Sequence, residues 1–351
     1  GEAIKMVPQE SQSAEQPVFD YLVANVGKKE IKPALVETPI GSQYNQPLLE
    51  FSGSCAGCAE TSYARLITQL FGEQMYISNA TGCSSIYGGS HPAMPYSISW
   101  ANSLFEDNAE FGLGIKMGDI LQKEKLIHIF ENSNLSEENK ELVDNWINND
   151  YDLESSKKLI NNFDFNEAIK AERLKKYILP KTTWIIGGDG WAYDIGFGGL
   201  DHVMASGEDV NVLVLDTEVY SNTGGQKSKS TRSGATAKFA SGGKTGAKKD
   251  IARIFMSYDN VYVASISLGD NMQQTIKALD EAEKHKGPSI VIAYAPCITH
   301  GIKSGMKNSI KEEKLAVESG YWPLFRYNPE NDKLTLDYKN PNFDKYEEFL
   351  N

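Results

Sequence analysis

The sequence predicts an α/β protein with a doubly wound, mainly parallel sheet that carries helices on both faces. Four short apolar runs, near residues 184, 211, 261 and 290, have the length and composition of buried strands. Stretches that favour helices lie near residues 196, 248 and 271, between those runs. Strands that alternate with helices in this way are typical of a parallel sheet covered on both sides.

Composition divides the chain into a core domain with peripheral segments. Residues 1–45 are polar and interrupted by prolines, so we expect an irregular linker or an arm from an upstream domain. The core domain is predicted for residues 46–330. Within it, residues 113–180 are rich in Lys, Glu and Asn, which favours a solvated helical insertion. Residues 331–351 are charged and are predicted to form a loose tail.

Local patterns predict the elements of the first half of the core domain. A helix is expected from Glu60 to Phe71, followed by a strand from Gln74 to Ser78. Long amphipathic helices are expected within 101–123 and within 135–178.

Two loops at one edge of the predicted sheet carry the residue types of a diphosphate and magnesium site. The first strand ends in Gly188-Asp189-Gly190, and the next one delivers the loop from Asp216 to Asn222 to the same edge, where ligands of open α/β sheets bind. Asp189, the Asn222 amide and a backbone carbonyl are suitable hard ligands for Mg²⁺, and the glycines let the backbone approach phosphates closely. Gly-Asp-Gly alone is often only a turn. Together, the two loops match the thiamine-diphosphate motif.

The four cysteines suggest a second cofactor. Cys55 and Cys58 form a close pair, whereas Cys83 and Cys297 each follow a predicted strand. Four thiolates from loops at one sheet edge can hold a 4Fe–4S cluster. A disulfide remains an alternative, although no secretion signal is present. A structural zinc would usually show two close pairs, and a redox Cys-x-x-Cys would leave the other two cysteines as buried thiols.

Charge and hydropathy exclude some classes of protein. The formal net charge is −12, which argues against nucleic acid as a partner. No apolar run reaches the length of a membrane span. Cysteines without a secretion signal favour the cytoplasm. The chain begins with Gly rather than Met, which is consistent with an expressed fragment.

Several long runs resemble pyruvate:ferredoxin (flavodoxin) oxidoreductase, specifically its carboxyl-terminal thiamine-diphosphate domain. The resemblance extends from about residue 45 to 330 and is carried by the runs Asp189–Gly196, Gly199–Val203, Tyr220–Gln226, Cys55–Cys58, Trp100–Gly112 and Glu318–Leu324. One departure is the segment between Pro95 and Trp100, which is shorter than the family's glycine-rich connection and predicts a different pocket rim.

The resemblance implies a role for each site residue. Asp189, Thr217 and the carbonyl of Val219 would bind Mg²⁺, so Thr217 replaces the Asn222 amide in the metal site. Asn222 would lie beside the cofactor as the catalytic candidate. Cys55, Cys58, Cys83 and Cys297 would hold the 4Fe–4S cluster. The residues implied to contact thiamine diphosphate are Glu60, Thr81, Gly82, Cys83, Gly188, Asp189, Gly190, Trp191, Thr217, Val219 and Asn222.

The resemblance also implies an activity and partners. The family oxidises pyruvate to acetyl-CoA and carbon dioxide and reduces ferredoxin or flavodoxin, with the cluster taking electrons from the thiamine-bound substrate. We expect coenzyme A, a homodimer and the remaining domains of a longer enzyme as partners, and little turnover by this chain alone. The alternatives are another 2-oxoacid, a non-redox thiamine-diphosphate enzyme, and a non-catalytic assembly module.

One basic segment has no assigned role in the sequence. The run from Lys227 to Lys249 contains seven Lys or Arg and no Asp or Glu. It is interpreted either as a solvated loop, as a mobile cover near the diphosphate or a phosphorylated substrate such as coenzyme A, or as a docking patch for an acidic ferredoxin or flavodoxin.

Overall fold

The chain folds around one large sheet. The computed structural model describes residues 5–27, 31–50, 52–89 and 100–350. The strands are β1 (Met75–Asn79), β2 (Trp100–Asn102), β3 (Thr182–Gly188), β4 (Asn211–Asp216), β5 (Val219–Tyr220), β6 (Gln226–Lys227), β7 (Tyr262–Ile266), β8 (Ser289–Tyr294), β9 (Phe325–Asn328) and β10 (Lys333–Leu336).

Helices connect most of these strands. They are α1 (Gln16–Asn25), α2 (Pro33–Val36), α3 (Pro39–Ser42), α4 (Glu60–Phe71), α5 (Cys83–Gly89), α6 (Asn108–Glu131), α7 (Glu137–Asn148), α8 (Leu153–Asn162), α9 (Ile169–Glu172), α10 (Phe197–Ala205), α11 (Ile251–Phe255), α12 (Met272–Lys284), α13 (Ser309–Glu318) and α14 (Tyr346–Leu350). One π-helical turn spans Gly190–Ile195, directly before α10. Short 3₁₀ turns span Gln9–Glu15, Gly72–Gln74, Phe165–Ala168, Lys175–Tyr177, Ile298–His300, Met306–Asn308, Pro329–Asn331 and Phe343–Lys345.

The sheet is mainly parallel, which confirms the predicted fold class. Its strand order is β10-β9-β7-β8-β4-β3-β1-β2. The pairs from β7 through β2 are parallel, and β9 and β10 add an antiparallel edge. Gly188 of β3 lies opposite Leu215 of β4, so the two strands end side by side. This register brings the loops after β3 and β4 together at one edge.

Helices cover both faces of the sheet because successive residues of a strand point to opposite sides. In β4, Val212 and Val214 pack into the cluster under α6, α10, α11 and α13, whereas Leu213 and Leu215 pack into the cluster under α4 and α12. Each fully buried aliphatic side chain contributes roughly 1.5–3 kcal/mol to folding.

The helical region between β2 and β3 has a small core of its own around Trp146. The indole Nε1 of Trp146 donates to Ser156 Oγ at 3.0 Å and to the carbonyl of Ile178 at 3.2 Å. The helical character expected within 135–178 is present as α7, α8 and α9, and α7 is separated from α8 where Asp150 and Tyr151 adopt positive φ angles of 53° and 59°. The helix expected within 101–123 is α6. It continues past residue 123 because Leu126 and Phe130 pack into this core.

The two ends of the chain are more ordered than the sequence suggested. The expectation of an irregular start is wrong for α1, α2 and α3, and α3 packs against α4 and α12. The expectation of a loose tail is wrong for β10, which pairs with β9, and for α14, where Phe349 packs against Tyr321. The predicted domain boundaries themselves stay predictions.

Candidate functional site

Loops from several strands converge at the carboxyl edge of the sheet and enclose two adjoining cavities. The first, which we call the Asp189 cavity, has a volume of about 240 Å³. It is lined by ten of the residues implied to contact thiamine diphosphate, namely Glu60, Thr81, Gly82, Cys83, Gly188, Asp189, Gly190, Thr217, Val219 and Asn222. Their roles stay predictions, but the structure brings them to one place.

Trp191 is the predicted contact residue that does not line this cavity. Its side chain is fully buried in the core on one face of the sheet. A Cβ on Gly187 would lie 2.4 Å from the Trp191 ring, so the glycine is required for the indole to fit beneath the turn. Trp191 therefore supports the loop from behind. The predicted rim between Pro95 and Trp100 falls on residues 95–99, which lie outside the described residues.

Asp189 is a buried carboxylate surrounded by hydroxyl groups. Its Oδ1 accepts hydrogen bonds from the Thr217 hydroxyl at 3.0 Å and the Thr217 N–H at 3.3 Å, and its Oδ2 accepts from Ser228 Oγ at 2.5 Å. The Thr217 hydroxyl is also 3.0 Å from the Val219 carbonyl oxygen. The Thr217 hydroxyl therefore contacts both other groups implied to bind Mg²⁺.

The electrostatic surroundings of Asp189 disfavour its charged form. Burial and the neighbouring Asp216 raise its pKa well above the usual range. Among the ion pairs of the described residues, none involves Asp189. A buried carboxylate beside a hydroxyl and a carbonyl oxygen is a donor set that suits Mg²⁺, a hard cation.

Gly190 allows the two loops to approach closely. A Cβ at this position would lie 2.5 Å from the Tyr220 ring, which is closer than real side chains come. The Tyr220 ring also lies 5.9 Å from Phe105, centroid to centroid. The glycine of the motif therefore serves loop packing as well as access to the cavity.

The second cavity, which we call the cysteine cavity, has a volume of about 250 Å³. All four cysteines line it, and all four are free thiols. Cys55 and Cys58 come from the loop before α4, Cys83 starts α5, and Cys297 follows β8. Burial, and after it the charge of Glu60, raises the pKa of Cys58 and of Cys83 to about 12, and Cys297 contributes to the shift of Cys83.

The four thiols line one cavity but do not form a site for a single metal ion. Within the described residues, no three His, Cys, Asp or Glu side chains are grouped closely enough to hold one metal ion. A 4Fe–4S cubane separates its four cysteines more widely than a mononuclear site does, and it binds thiolates from loops such as these.

A thin wall separates the two cavities. Its members line both cavities: Glu60, Cys83, Thr217, Ser221 and Asn222. The Asn222 side chain lies near the Cys83 thiol and lowers its pKa, against the effect of burial, and Tyr87 donates to Glu60 at 3.0 Å. Burial raises the pKa of Glu60 to about 7, although the Tyr87 hydrogen bond opposes this. A group bound in one cavity would thus lie next to a group bound in the other.

A buried charge network behind the second loop was missed by sequence reasoning. Lys248 Nζ lies 2.8 Å from both Asp216 Oδ2 and Glu218 Oε1. Despite burial, Asp216 and Glu218 raise the pKa of Lys248, and Lys248 lowers that of Glu218. Asp216 also accepts from Tyr193 at 2.8 Å and from Ser230 Oγ at 2.6 Å.

The network explains part of the basic segment 227–249. Lys248 and Arg232 pair with Glu218, and Lys244 donates to the carbonyls of Thr231 and Lys229. The solvated-loop interpretation is wrong for these three side chains, which point inward. The only sequence signal was the excess of basic residues. Cover and docking roles for the segment stay predictions.

His300 was also missed, because nothing in the sequence distinguishes it. Its Nε2 lies 2.6 Å from the Thr217 carbonyl oxygen, and its Nδ1 accepts the Cys297 N–H at 3.3 Å. A residue of each cavity therefore contacts one imidazole ring.

Comparison with known proteins identifies the class of this fold and site. Residues 160–293 match the family described as thiamine pyrophosphate enzyme, C-terminal TPP binding domain. The sheet, its ligand-binding edge and this match define a thiamine-diphosphate-binding domain. A solved structure of 2-oxoglutarate:ferredoxin oxidoreductase from Magnetococcus marinus aligns with 92% of this chain and 90% of that chain, at a TM-score of 0.49 and 14% identity, which carries no further conclusion.

Sequence relatives specify the family. Pyruvate-flavodoxin oxidoreductase of Klebsiella pneumoniae is 48% identical over 100% of this chain and 32% of its own length. Pyruvate:ferredoxin oxidoreductase of Moorella thermoacetica is 48% identical over 97% of this chain and 31% of its own length. Pyruvate dehydrogenase [NADP(+)] of Cryptosporidium parvum is 45% identical over 92% of this chain and 19% of its own length. The chain is homologous along its length to part of the pyruvate:ferredoxin (flavodoxin) oxidoreductases and spans about a third of the length of the first two relatives.

Membrane insertion finds no support in the helices. Across the described ranges, none of them combines the length and the apolar character needed to cross a bilayer.

Proposed function

We propose that this chain is the part of a pyruvate:ferredoxin or pyruvate:flavodoxin oxidoreductase that binds thiamine diphosphate, Mg²⁺ and a 4Fe–4S cluster. The observation that supports this most directly is the shared wall of the two cavities, in which Cys83 and Asn222 line both. A non-redox thiamine-diphosphate enzyme has no use for four free thiols next to the Asp189 cavity.

The chain's own residues divide the work of binding. Asp189, the Thr217 hydroxyl and the Val219 carbonyl would hold Mg²⁺, since they are already in contact and lack a counter-charge. Cys55, Cys58, Cys83 and Cys297 would hold the cluster. Thiamine diphosphate, when bound, supplies the electron sink that lets a 2-oxoacid lose carbon dioxide.

The wall residues would organise the space between the cofactors. Asn222 would stand beside thiamine diphosphate, next to the Cys83 thiol. Glu60 is buried and accepts a hydrogen bond from the Tyr87 hydroxyl. Asn222, in contrast, is exposed and therefore accessible to a bound group.

The partners follow from the relatives' names and from the chemistry. Pyruvate, coenzyme A and ferredoxin or flavodoxin are the proposed substrates and electron acceptor, and a homodimer is the proposed assembly. Because the chain spans about a third of its relatives' length, we propose that pyruvate turnover needs the rest of that length. Free thiols and an oxygen-sensitive cluster favour the cytoplasm.

The decisive experiment is a count of cofactors on protein purified and reconstituted without oxygen. We expect about four irons and four sulfides per chain, together with one thiamine diphosphate whose binding requires Mg²⁺. Cys58→Ser should lower the iron content and leave thiamine diphosphate bound, whereas Asp189→Asn should do the reverse. Binding of thiamine diphosphate without iron would favour a non-redox enzyme, and binding of neither would contradict the proposal.

A further inference from the structure

His300 connects the two cavities through the backbone. It ends the short turn Ile298–His300, which directly follows Cys297. Because the Thr217 carbonyl can only accept a hydrogen bond, Nε2 must carry the proton and donate it over 2.6 Å. Nδ1 is then the acceptor for the Cys297 N–H at 3.3 Å. Both ring nitrogens are thus used, one toward each cavity.

The carbonyl held by His300 belongs to a strained part of the second loop. Glu218, the next residue, has a φ of 57°, a left-handed conformation that a non-glycine residue keeps only where contacts hold it. This turn directs the Thr217 carbonyl toward His300, while the Thr217 hydroxyl contacts Asp189. Any shift of the Thr217 peptide would therefore move a proposed Mg²⁺ ligand.

We propose that His300 is a positioning residue that couples the occupancy of the cysteine cavity to the affinity of the Asp189 cavity. The inference rests on the proposed function. A cluster bound by Cys297 fixes that residue's backbone, and its N–H then orients the imidazole. The oriented imidazole holds the Thr217 carbonyl, so the Thr217 hydroxyl is in place before Mg²⁺ and thiamine diphosphate arrive. Coupling of this kind is reciprocal: each ligand strengthens the other's binding by the same factor.

Two conservative substitutions separate the two hydrogen bonds. In His300→Gln, the side-chain amide N–H can replace Nε2 toward the Thr217 carbonyl, but nothing replaces Nδ1. In His300→Asn, the side-chain oxygen can replace Nδ1 toward the Cys297 N–H, but the side chain is too short to reach Thr217. Each variant keeps one half of the link and breaks the other. His202→Gln is the matched control, since His202 is exposed on α10.

The experiment measures the dissociation constant of Mg²⁺–thiamine diphosphate by calorimetry, on cluster-free and on anaerobically reconstituted 351-residue chain. Circular dichroism confirms that each variant is folded. We expect the reconstituted wild type and His202→Gln to bind at least about fivefold more tightly than their cluster-free forms. In His300→Gln and His300→Asn this ratio should fall toward one. The electron paramagnetic resonance signal of the reduced cluster should respond to Mg²⁺–thiamine diphosphate in the wild type and not in the two variants.

The failures of the two proposals are distinguishable. A wild-type ratio of one, or an unchanged ratio in both His300 variants, would overturn the coupling while the cofactor assignment stands. A wild-type chain that takes up neither iron nor thiamine diphosphate would instead refute the proposed function and, with it, the coupling.

Discussion

Two buried aspartates at the ends of neighbouring strands have opposite surroundings. Asp216, at the end of β4, is neutralised by Lys248 at 2.8 Å and receives three further hydrogen bonds, from Tyr193, Ser230 and the Glu218 N–H. Asp189, just past β3, receives only hydroxyl and amide hydrogen bonds, and its pKa is raised by burial and by Asp216. The protein supplies a cation to one carboxylate and only neutral hydrogen-bond donors to the other, which is the one that we propose binds Mg²⁺.

The comparison shows how a structural carboxylate differs from a binding one. Burying a charge is costly unless it is paired. The basic segment 227–249 meets that cost for Asp216 and Glu218 with Lys248 and Arg232, whereas its contact with Asp189 is the Ser228 hydroxyl. The same segment therefore gives cations to two carboxylates and only a neutral hydrogen bond to the third.

The largest expected effect is on the free energy of unfolding and comes from Lys248, the cation that neutralises Asp216. Lys248→Met should lower the free energy of unfolding by about 3 kcal/mol, because Asp216 and Glu218 would stay buried without a shared cation. Equilibrium urea unfolding measures this. Lys229→Met is the matched control: Lys229 pairs with Asp194, its side chain is 60% exposed, and the expected cost is about 0–1 kcal/mol. Equal costs for the two variants would remove the distinction drawn here.

The next largest expected effect is on ligand binding and comes from Asp189. Asp189→Asn should weaken Mg²⁺–thiamine diphosphate binding by about 100-fold, the upper end of losses caused by altering supports of a metal site. Its unfolding free energy without ligand should not fall, since the amide keeps the shape and avoids a buried charge. Calorimetry and urea unfolding measure the two quantities. Asp201→Asn on α10, whose carboxylate accepts from Tyr258, should leave binding unchanged; a comparable loss there would count against a role specific to Asp189.

A third carboxylate, at the amino ends of the same strands, sharpens the comparison through pH. Glu283 accepts hydrogen bonds from Thr182, Trp184 and Asn211. Burial raises its pKa from 4.5 to about 7. The folded state therefore favours the protonated form, and its stabilising contribution is complete below pH 4.5 and lost as the pH rises through 7.

Glu283→Gln should consequently match the wild type in unfolding free energy at pH 5 and exceed it by about 2 kcal/mol at pH 8. Urea unfolding at the two pH values tests this. If the stability difference were the same at both pH values, Glu283 would carry no pH-dependent cost, and hydrogen bonds alone would suffice to keep a buried carboxylate ionised in this protein.

The smallest expected effect concerns the cysteine cavity. The Thr299 hydroxyl donates to the Cys297 sulfur at 3.1 Å, and hydrogen bonds to cluster sulfurs raise the reduction potential by stabilising the reduced state. Thr299→Val should lower the midpoint potential by on the order of tens of millivolts, the equivalent of one hydrogen bond of about 1 kcal/mol. A redox titration of the reconstituted chain measures it, and Thr223→Val, in the second loop, is the control. An unchanged potential would contradict ligation of the cluster by Cys297.

Sequence reasoning located the Asp189 cavity because its residues are local to strand ends. Apolar runs predicted β3 and β4, and register then fixed which loops meet, so Asp189, Thr217 and Asn222 could be placed together. The pairing of Lys248 with Asp216 could not be predicted in the same way, since it depends on how a loop without regular structure folds back. His300 was missed because nothing in the sequence distinguishes it, and the core position of Trp191 was missed because the motif does not show which way the turn Gly190–Ile195 directs the indole.

Secondary structure was predictable where one pattern dominates. The apolar face of α4 and the continuous apolar strands of a parallel sheet are such patterns. The break at Asp150 and Tyr151 was missed because polar, amphipathic sequence continues through it while the backbone turns. β9 and β10 are short and half exposed, and their pairing depends on contact with β7, which no local pattern encodes.

The ion pairs between Lys248 and the loop after β4 also bear on the order in which parts of the protein can form. Asp216 and Glu218 are synthesised before the lysine that neutralises them, so until Lys248 is present both carboxylates stay hydrated and the left-handed turn at Glu218 lacks its partner. β3 and β4 can already pair at that stage. β8, the other neighbour of β4, follows Lys248 in the chain, so the sheet cannot be complete before the residue that neutralises Asp216 is available.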